Sequence, residues 1–214
     1  MTLAKICGIK NIHDAQGAVV AGADMLGFHV ELHGGRSLIS ADEAAKIITA
    51  LPESVTSVVV TSVAEPERLI ELAQTTDAKV LQLYGDATPE AILEVKAALP
   101  AVQVWKVINI SGSEALQKAQ TYESAADALA LDSAPKAGRR GGTGETHDWG
   151  VSKKIVSSVA IPVVLAGGLN AENVAGAIQI VHPYAVDVNS GVSNPDGSKD
   201  LAKVEIFVAR AKDL

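Results

Sequence analysis

The chain has 214 residues, a formal net charge of −7 and one cysteine, which excludes an internal disulfide and a general basic surface for nucleic acid. Hydrophobic residues make up 48% of the chain and aromatic residues only 3%, so the core must consist of the aliphatic residues that fill parallel sheets and their covering helices. Because no apolar run reaches the roughly 18 residues of a membrane helix and the first residues lack a signal-peptide pattern, we expect a cytoplasmic protein without membrane or nucleic-acid partners.

Short apolar segments alternate with amphipathic segments along the whole chain. Each apolar segment is short enough for a buried strand, and each amphipathic segment has apolar residues at helical spacing. The pattern therefore predicts eight strand–helix units. The predicted strands are Leu3–Cys7, Met25–Val30, Ser57–Thr61, Val80–Leu83, Val102–Ile108, Ala128–Leu131, Ile161–Ala166 and Tyr184–Val188.

Helix starts are marked by capping residues in several of these units. Ser40 with Glu43 has the spacing of a capping box, and Pro66 suits a first helical turn. Asn11 and Asn170 are predicted to cap the first and seventh helices. A helix is also expected directly after Asp148.

Eight units without an intervening linker predict one α/β domain over residues 1–214, a single (β/α)8 TIM barrel. An open, doubly wound sheet uses the same elements, but eight consecutive units without an extra domain favour closure. In a closed barrel the carboxyl ends of all strands share one face. Residues at distant strand ends, such as Cys7 and Asp132, should then form one site.

The segment after the sixth predicted strand carries the strongest chemical signal. Asp132 ends an apolar run, which makes it a candidate acid or base at the edge of the core. The glycine-rich residues Gly141 to Gly144, followed by a helix start, suit backbone N–H groups that bind a phosphate. A flexible surface loop is the alternative for such a cluster.

Eight segments with characteristic motifs follow one another along the chain: Lys5–Gly8, Gly22–Phe28, Leu81–Leu83, Leu131–Asp132, Gly141–Gly144, Asp148–Trp149, Leu165–Val174 and Ala185–Val188. In this order they closely resemble the phosphoribosylanthranilate isomerase family over nearly the whole chain. The resemblance implies a tryptophan-biosynthesis enzyme that converts N-(5-phosphoribosyl)anthranilate to 1-(2-carboxyphenylamino)-1-deoxyribulose 5-phosphate by an Amadori rearrangement.

The resemblance also implies roles for individual residues. The family's general base and general acid map onto Cys7 and Asp132, and Arg36 matches the arginine that binds the anthranilate carboxylate. Phosphate is expected on backbone N–H groups after strands six, seven and eight. These groups belong to Gly142, Thr143, Gly144, Gly167, Gly168, Ser190 and Gly191.

The chemistry itself calls for an acid and a base but no cofactor. One group protonates the ribose ring oxygen, the other removes the proton from C2, and the iminium formed on ring opening serves as the electron sink. The histidines and the single cysteine have no metal-ligand spacing, so we expect neither a metal nor another cofactor. The expected partner is a small phosphorylated substrate.

Each of three interior residues has two possible roles. Cys7 alone would more often be a small buried hydrophobe, and only its combination with Asp132 and the glycine loops favours the base. Gln82 either lines the substrate pocket or fills a barrel layer. Asp187 either forms a polar wall of the pocket or is buried and bonded to backbone, and the cost of an unpaired carboxylate favours the second. Lys5 lies on the same side of its strand as Cys7, two residues deeper.

The chain departs from the family pattern around the predicted aromatic-ring site. Tyr84 stands where the family has histidine, Glu145 where it has lysine, and the segment from His29 to Arg36 lacks the aromatic-proline sequence. The acid, base and phosphate loops are retained. A sugar-phosphate-binding or regulatory barrel, or an isomerase of a related aminoaldose phosphate, is the alternative function. Both a monomer and a homodimer are compatible with the sequence.

Overall fold

The computed structural model describes residues 1–35, 37–112, 114–134 and 146–213. Eight parallel strands form a closed barrel in chain order, β1 to β8, with β8 paired to β1. The predicted α/β barrel is therefore confirmed. The strands are β1 Leu3–Ile6, β2 Met25–His29, β3 Thr56–Thr61, β4 Val80–Leu83, β5 Gln103–Ile110, β6 Ala128–Ser133, β7 Val163–Leu165 and β8 Ala185–Val188.

One helix follows each strand and packs on the outside of the barrel. Apolar residues on the outer faces of the strands and on the inner faces of the helices form the larger hydrophobic core. The helices are α1 Ile12–Val20, α2 Ala41–Thr49, α3 Pro66–Thr76, α4 Pro89–Ala98, α5 Glu114–Tyr122, α6 Trp149–Val156, α7 Val174–Val181 and α8 Leu201–Lys212. None of the described helices is long and apolar enough to cross a membrane.

The predicted helix starts are confirmed with one exception. Ser40 and Glu43 form the reciprocal capping box of α2, and Asn11 accepts a hydrogen bond from Asp14 N–H at the start of α1. The prediction for Asn170 is wrong, because α7 begins only at Val174. Asn170 Oδ1 instead accepts hydrogen bonds from the N–H groups of Glu172 and Asn173, which closes a turn before the helix.

The barrel interior changes character from one end to the other. Toward the amino ends of the strands its side chains are apolar, and they form a second, smaller core. These residues are Met25, Val58, Val80, Trp105, Ala128, Val164 and Ala185. Toward the carboxyl ends, polar and ionisable residues join the interior beside apolar residues such as Val60, and they include Lys5, His29 and Asp187, which are buried. The two kinds of residue alternate with outward-facing neighbours along each strand, as the pleat of a β-strand requires.

Candidate active site

Cys7 lies directly after β1, at the carboxyl-terminal face of the barrel. Its N–H donates a hydrogen bond to Val188 O at the end of β8, with an N···O distance of 2.8 Å. Its Sγ lies 3.3 Å from Nε2 of His29, the last residue of β2. A Cβ atom built on Gly27 would lie 2.6 Å from this Sγ and 3.1 Å from Lys5 Nζ, so a side chain at position 27 would displace both groups.

Burial keeps both members of the Cys7–His29 pair neutral near pH 7. Burial raises the pKa of the Cys7 thiol to about 11, although the positive charges of Lys5 and Lys199 favour the thiolate. Burial and the same two lysines lower the pKa of His29 to about 3. The geometry therefore fits a thiol that donates to an imidazole nitrogen.

Lys5 and Asp187 form an ion pair inside the barrel, with 2.7 Å between Nζ and Oδ2. Burial opposes the charge on Lys5, but Asp187 and Cys7 hold its pKa above the ordinary value. The preferred expectation for Asp187, a bond to backbone, is wrong: in the described part of the chain Oδ2 pairs with Lys5 and the buried Oδ1 has no hydrogen-bond partner. Lys5 thus compensates a carboxylate that burial alone would make costly.

A second lysine reaches the same region from the loop after β8. Lys199 Nζ donates to Asn189 Oδ1 and to Ser193 Oγ, both at 2.9 Å. Its pKa is lowered to about 8 by burial, against the attraction of Cys7 and two carboxylates. Cys7 is therefore flanked by two ammonium groups that favour its thiolate.

Asp132 lies at the carboxyl end of β6, and both of its oxygens accept a hydrogen bond. Ser133 N–H donates to Oδ1 at 2.8 Å, and the Tyr84 hydroxyl donates to Oδ2 at 2.7 Å. Burial nevertheless raises the pKa of the Asp132 carboxyl, against these two hydrogen bonds. A raised pKa is what a carboxylic acid needs to hold a proton for donation.

Tyr84 connects the Asp132 side of the site with the Cys7 side. Burial, the hydrogen-bonded Asp132 and the nearby charges of Cys7 and Asp187 raise the Tyr84 pKa well above its ordinary value. These four residues come from the carboxyl ends of different strands and lie close enough to act on one another electrostatically. Tyr84 therefore lies within electrostatic range of both the candidate acid and the candidate base.

The glycines after β7 and β8 allow the backbone to approach neighbouring residues closely at this end of the barrel. Gly167 and Gly168 have φ angles of 79° and 70°, in the left-handed region that favours glycine. A Cβ on Gly167 would lie 2.5 Å from Ser133 N and 2.9 Å from Asp132 Oδ1, so the close approach of β6 and β7 needs glycine. A Cβ on Gly191 would collide with Leu169 O, which places the two loops against each other.

Free backbone donors are present in this region. Among the described residues, the N–H groups of Gly167 and Gly168 donate no hydrogen bond to another part of the protein. Ser190 and Gly191 form a short 3-10 turn directly beyond β8. Two adjacent loops with backbone N–H groups can bind an anion such as phosphate.

The other site residues suggested by the sequence lie elsewhere or outside the described residues. Gln82 is only 1% exposed and is in register with Val60 and Trp105, so it fills an interior layer, and its buried Oε1 has no described partner. The predictions for Arg36, Gly142, Thr143 and Gly144 fall outside the described residues, as does Glu145.

Four residues of the site were not assigned to it by sequence reasoning. Lys5, His29 and Tyr84 all lie within or next to strand ends on the interior-facing alternation, which is a signal that could have identified them. Lys199 lies 10 residues beyond Asn189, its partner, and no sequence pattern connects the two.

The chain is also similar to known proteins over nearly its whole length. The family model for N-(5'-phosphoribosyl)anthranilate (PRA) isomerase matches residues 4–210. The N-(5'-phosphoribosyl)anthranilate isomerase of Methanocella arvoryzae is 40% identical over 212 residues, which cover 99% of both chains. That of Halobacterium salinarum is 42% identical over 215 residues, covering 99% of this chain and 96% of the relative.

Solved structures show the same likeness. The crystal structure of phosphoribosyl anthranilate isomerase from Thermotoga maritima superposes with a TM-score of 0.90 at 34% identity, with both chains fully covered. A structure of such an isomerase in complex with reduced 1-(o-carboxyphenylamino)-1-deoxyribulose 5-phosphate gives a TM-score of 0.86 at 32% identity, again over both full chains. The chain therefore belongs to the N-(5'-phosphoribosyl)anthranilate isomerase family.

Proposed function

We propose that this protein converts N-(5-phosphoribosyl)anthranilate to 1-(2-carboxyphenylamino)-1-deoxyribulose 5-phosphate, with Asp132 as general acid and Cys7 as general base. The observation that carries the proposal is the position of these two groups at the ends of β6 and β1, linked electrostatically through Tyr84. Membership of the isomerase family supports the same reaction.

The reaction needs two proton transfers. The Asp132 carboxyl gives its proton to the ribose ring oxygen, the bond between C1 and that oxygen breaks, and the anthranilate nitrogen forms an iminium with C1. Cys7 then takes the proton from C2, and the C2–H electron pair forms the C1–C2 double bond of an enolamine. Ketonisation of the enolamine gives the product. The two transfers together leave the chain with the same number of protons, because Asp132 loses one proton in the first step and Cys7 gains one in the second.

The charges around Cys7 support its role as base. A thiol with a pKa of about 11 accepts no proton until it has lost its own. The two lysines that flank Cys7 stabilise the thiolate electrostatically. We propose that Cys7 first gives its thiol proton to solvent, assisted electrostatically by Lys5 and Lys199, and that the thiolate then removes the proton from C2.

We propose separate binding groups for the phosphate and for the anthranilate carboxylate. We propose that the free N–H groups of Gly167 and Gly168, with Ser190 and Gly191, bind the phosphate together with the N–H groups of Gly142, Thr143 and Gly144. Arg36 is proposed to bind the anthranilate carboxylate through its planar guanidinium, and Asp187 and Gln82 to shape the interior wall.

The proposal is tested by steady-state turnover of the purified protein and by growth of a tryptophan auxotroph. Wild type should complement the auxotroph, whereas Cys7→Ala and Asp132→Asn should each lower kcat by about 10²- to 10⁴-fold and abolish growth. Asp42→Asn, an exposed residue in the first turn of α2, is the matched control and should behave like wild type.

Two outcomes would contradict the proposal in different ways. A folded wild-type protein without turnover would show that the substrate is a different one. Turnover by Cys7→Ala and Asp132→Asn at the wild-type rate would show that the reaction is right and the role assignment is wrong.

A further inference from the structure

Asp132 has one side-chain hydrogen-bond donor among the described residues, and that donor is a tyrosine. The Tyr84 hydroxyl lies 2.7 Å from Asp132 Oδ2, which is the distance of a strong O–H···O hydrogen bond. Tyr84 directly follows β4, and its own N–H donates to Thr61 O at the end of β3. Its ring packs against the inner core of the barrel, so the hydroxyl is held in place from below.

The proton of Tyr84 stays on the phenol at any working pH. Burial and the neighbouring negative charges raise the Tyr84 pKa well above its ordinary value. Tyr84 is therefore a permanent donor toward Asp132 and takes no proton from it. A donor of this kind favours the carboxylate over the carboxylic acid.

From this geometry we infer that Tyr84 is a positioning residue for the general acid: its hydroxyl fixes Oδ2 of Asp132 and stabilises the carboxylate that remains after the proton has been given to the substrate. The inference rests on the proposed function, in which Asp132 is the acid. Removal of the hydroxyl should leave a carboxyl group that is a weaker acid and is free to rotate about its last side-chain bond.

Other charged and titratable groups around Asp132 must be held constant in a test of this inference. From β1 and β8, Lys5 and Asp187 act on its carboxyl electrostatically, the first lowering and the second raising its pKa. Cys7 acts on the same hydroxyl of Tyr84. His147 contacts Ser133, the residue whose N–H bonds Asp132 Oδ1. None of these groups is altered by a change at position 84 that keeps the ring.

Tyr84→Phe is the decisive variant, because it removes only the hydroxyl. We expect kcat to fall about 10-fold, as a fraction of the 10²- to 10⁴-fold that a general acid contributes, with KM changed little. The inflection of the kcat pH profile that belongs to Asp132 should move to higher pH by about one to two units, because the lost hydrogen bond stabilised the carboxylate. A purely structural role for the ring would move neither quantity.

Two further variants serve as rescue and control. Tyr84→His supplies an N–H donor in place of the hydroxyl. Its kcat should therefore lie between that of wild type and that of Tyr84→Phe. Tyr184→Phe removes a phenol that is 48% exposed at the amino-terminal end of β8 and should match wild type in kcat and in pH profile. Thermal melting of all three proteins confirms that folded enzyme is compared.

The Asp132 pKa can also be measured without turnover, by NMR. The protein is labelled with carbon-13 aspartate, the carboxyl signals are followed as a function of pH, and the Asp132→Asn variant assigns the signal of Asp132. A higher Asp132 pKa in Tyr84→Phe than in wild type supports the inference even if the substrate differs from the one proposed. Equal pKa values, or a Tyr84→Phe enzyme with wild-type kcat and pH profile, would overturn it. Absence of turnover in wild type would instead count against the proposed function alone.

Discussion

The two ends of the barrel interior are built on different principles. Toward the amino ends of the strands, apolar side chains such as Met25, Val58 and Trp105 fill the space. Toward the carboxyl ends, the same strands and their neighbours bring a lysine, two carboxylates, a thiol and an imidazole into the barrel. The amino-terminal end is stabilised by apolar packing, whereas the carboxyl-terminal end also depends on an ion pair and on hydrogen bonds between buried side chains.

The difference separates what stabilises the barrel from what performs its chemistry. An apolar layer loses stability in proportion to the volume removed from it, with no dependence on pH. A charged layer is stable only while each buried charge has its partner, and its stability therefore depends on protonation. Variants in the two layers should accordingly fail in recognisably different ways.

The largest effect is expected from Lys5→Met, which leaves Asp187 without its partner in the interior. We expect a loss of about 3–5 kcal/mol of unfolding free energy near neutral pH. Protonation at lower pH removes the unpaired buried charge, so part of the stability should return as pH falls toward about 5. Denaturant unfolding at several pH values measures both effects.

Met25→Ala is the matched variant in the apolar layer. It should cost about 2–5 kcal/mol with no recovery at lower pH, because only volume and buried area are lost. The double variant Lys5→Met, Asp187→Leu should regain most of the stability that Lys5→Met loses, since no unpaired charge remains. A Lys5→Met protein that loses stability independently of pH, as Met25→Ala is expected to do, would show that the Lys5–Asp187 ion pair does not stabilise the charged layer.

A smaller loss of stability is expected from a substitution at Gly167, where the backbone lies against Ser133 and Asp132. Gly167→Ala should cost about 1–3 kcal/mol for its positive φ angle and should also lower turnover, because the new Cβ presses on Ser133 N and Asp132 Oδ1. Gly176→Ala, on α7 with no atom near the added Cβ, should instead be neutral or stabilising by up to about 1 kcal/mol. Equal behaviour of the two variants in denaturant melts and turnover assays would contradict the close contact at Gly167.

The smallest expected effect concerns the rate at which the Cys7 thiol is chemically modified. With a thiol pKa of about 11, the thiolate fraction of Cys7 should rise about tenfold per pH unit between about pH 7 and pH 9.5, without a plateau. Because the chain has one cysteine, the total iodoacetamide label measured by mass spectrometry reports Cys7 alone, and Cys7→Ala is the blank. A plateau below about pH 9 would mean that the effect of the two lysines on the Cys7 pKa outweighs the effect of burial.

The sequence predicted the fold and the position of Cys7 and Asp132 at one face of the barrel for the same physical reason, whereas the general-base role of Cys7 rested on the family resemblance. Strand ends are marked by local changes from apolar to polar residues, so Cys7 and Asp132 could be placed at one face once eight units were recognised. Pairing is not local: Lys5 and Asp187 are 182 residues apart, and only the register of β1 against β8 brings them together. Asn170 was misplaced because the same side chain that caps helices also closes short turns.

The pairing of β1 with β8 has a consequence for how the protein acquires activity during folding. Lys5 meets Asp187, and Cys7 meets the end of β8, only across this seam, which joins the first and last strands of the chain. Contacts of such long sequence separation have the largest loop-closure entropy cost, so we expect them to form late. An open intermediate with β2 to β7 already in place would hold the apolar end of the barrel but no assembled base. The appearance of isomerase activity during refolding should therefore report the closure of the barrel itself.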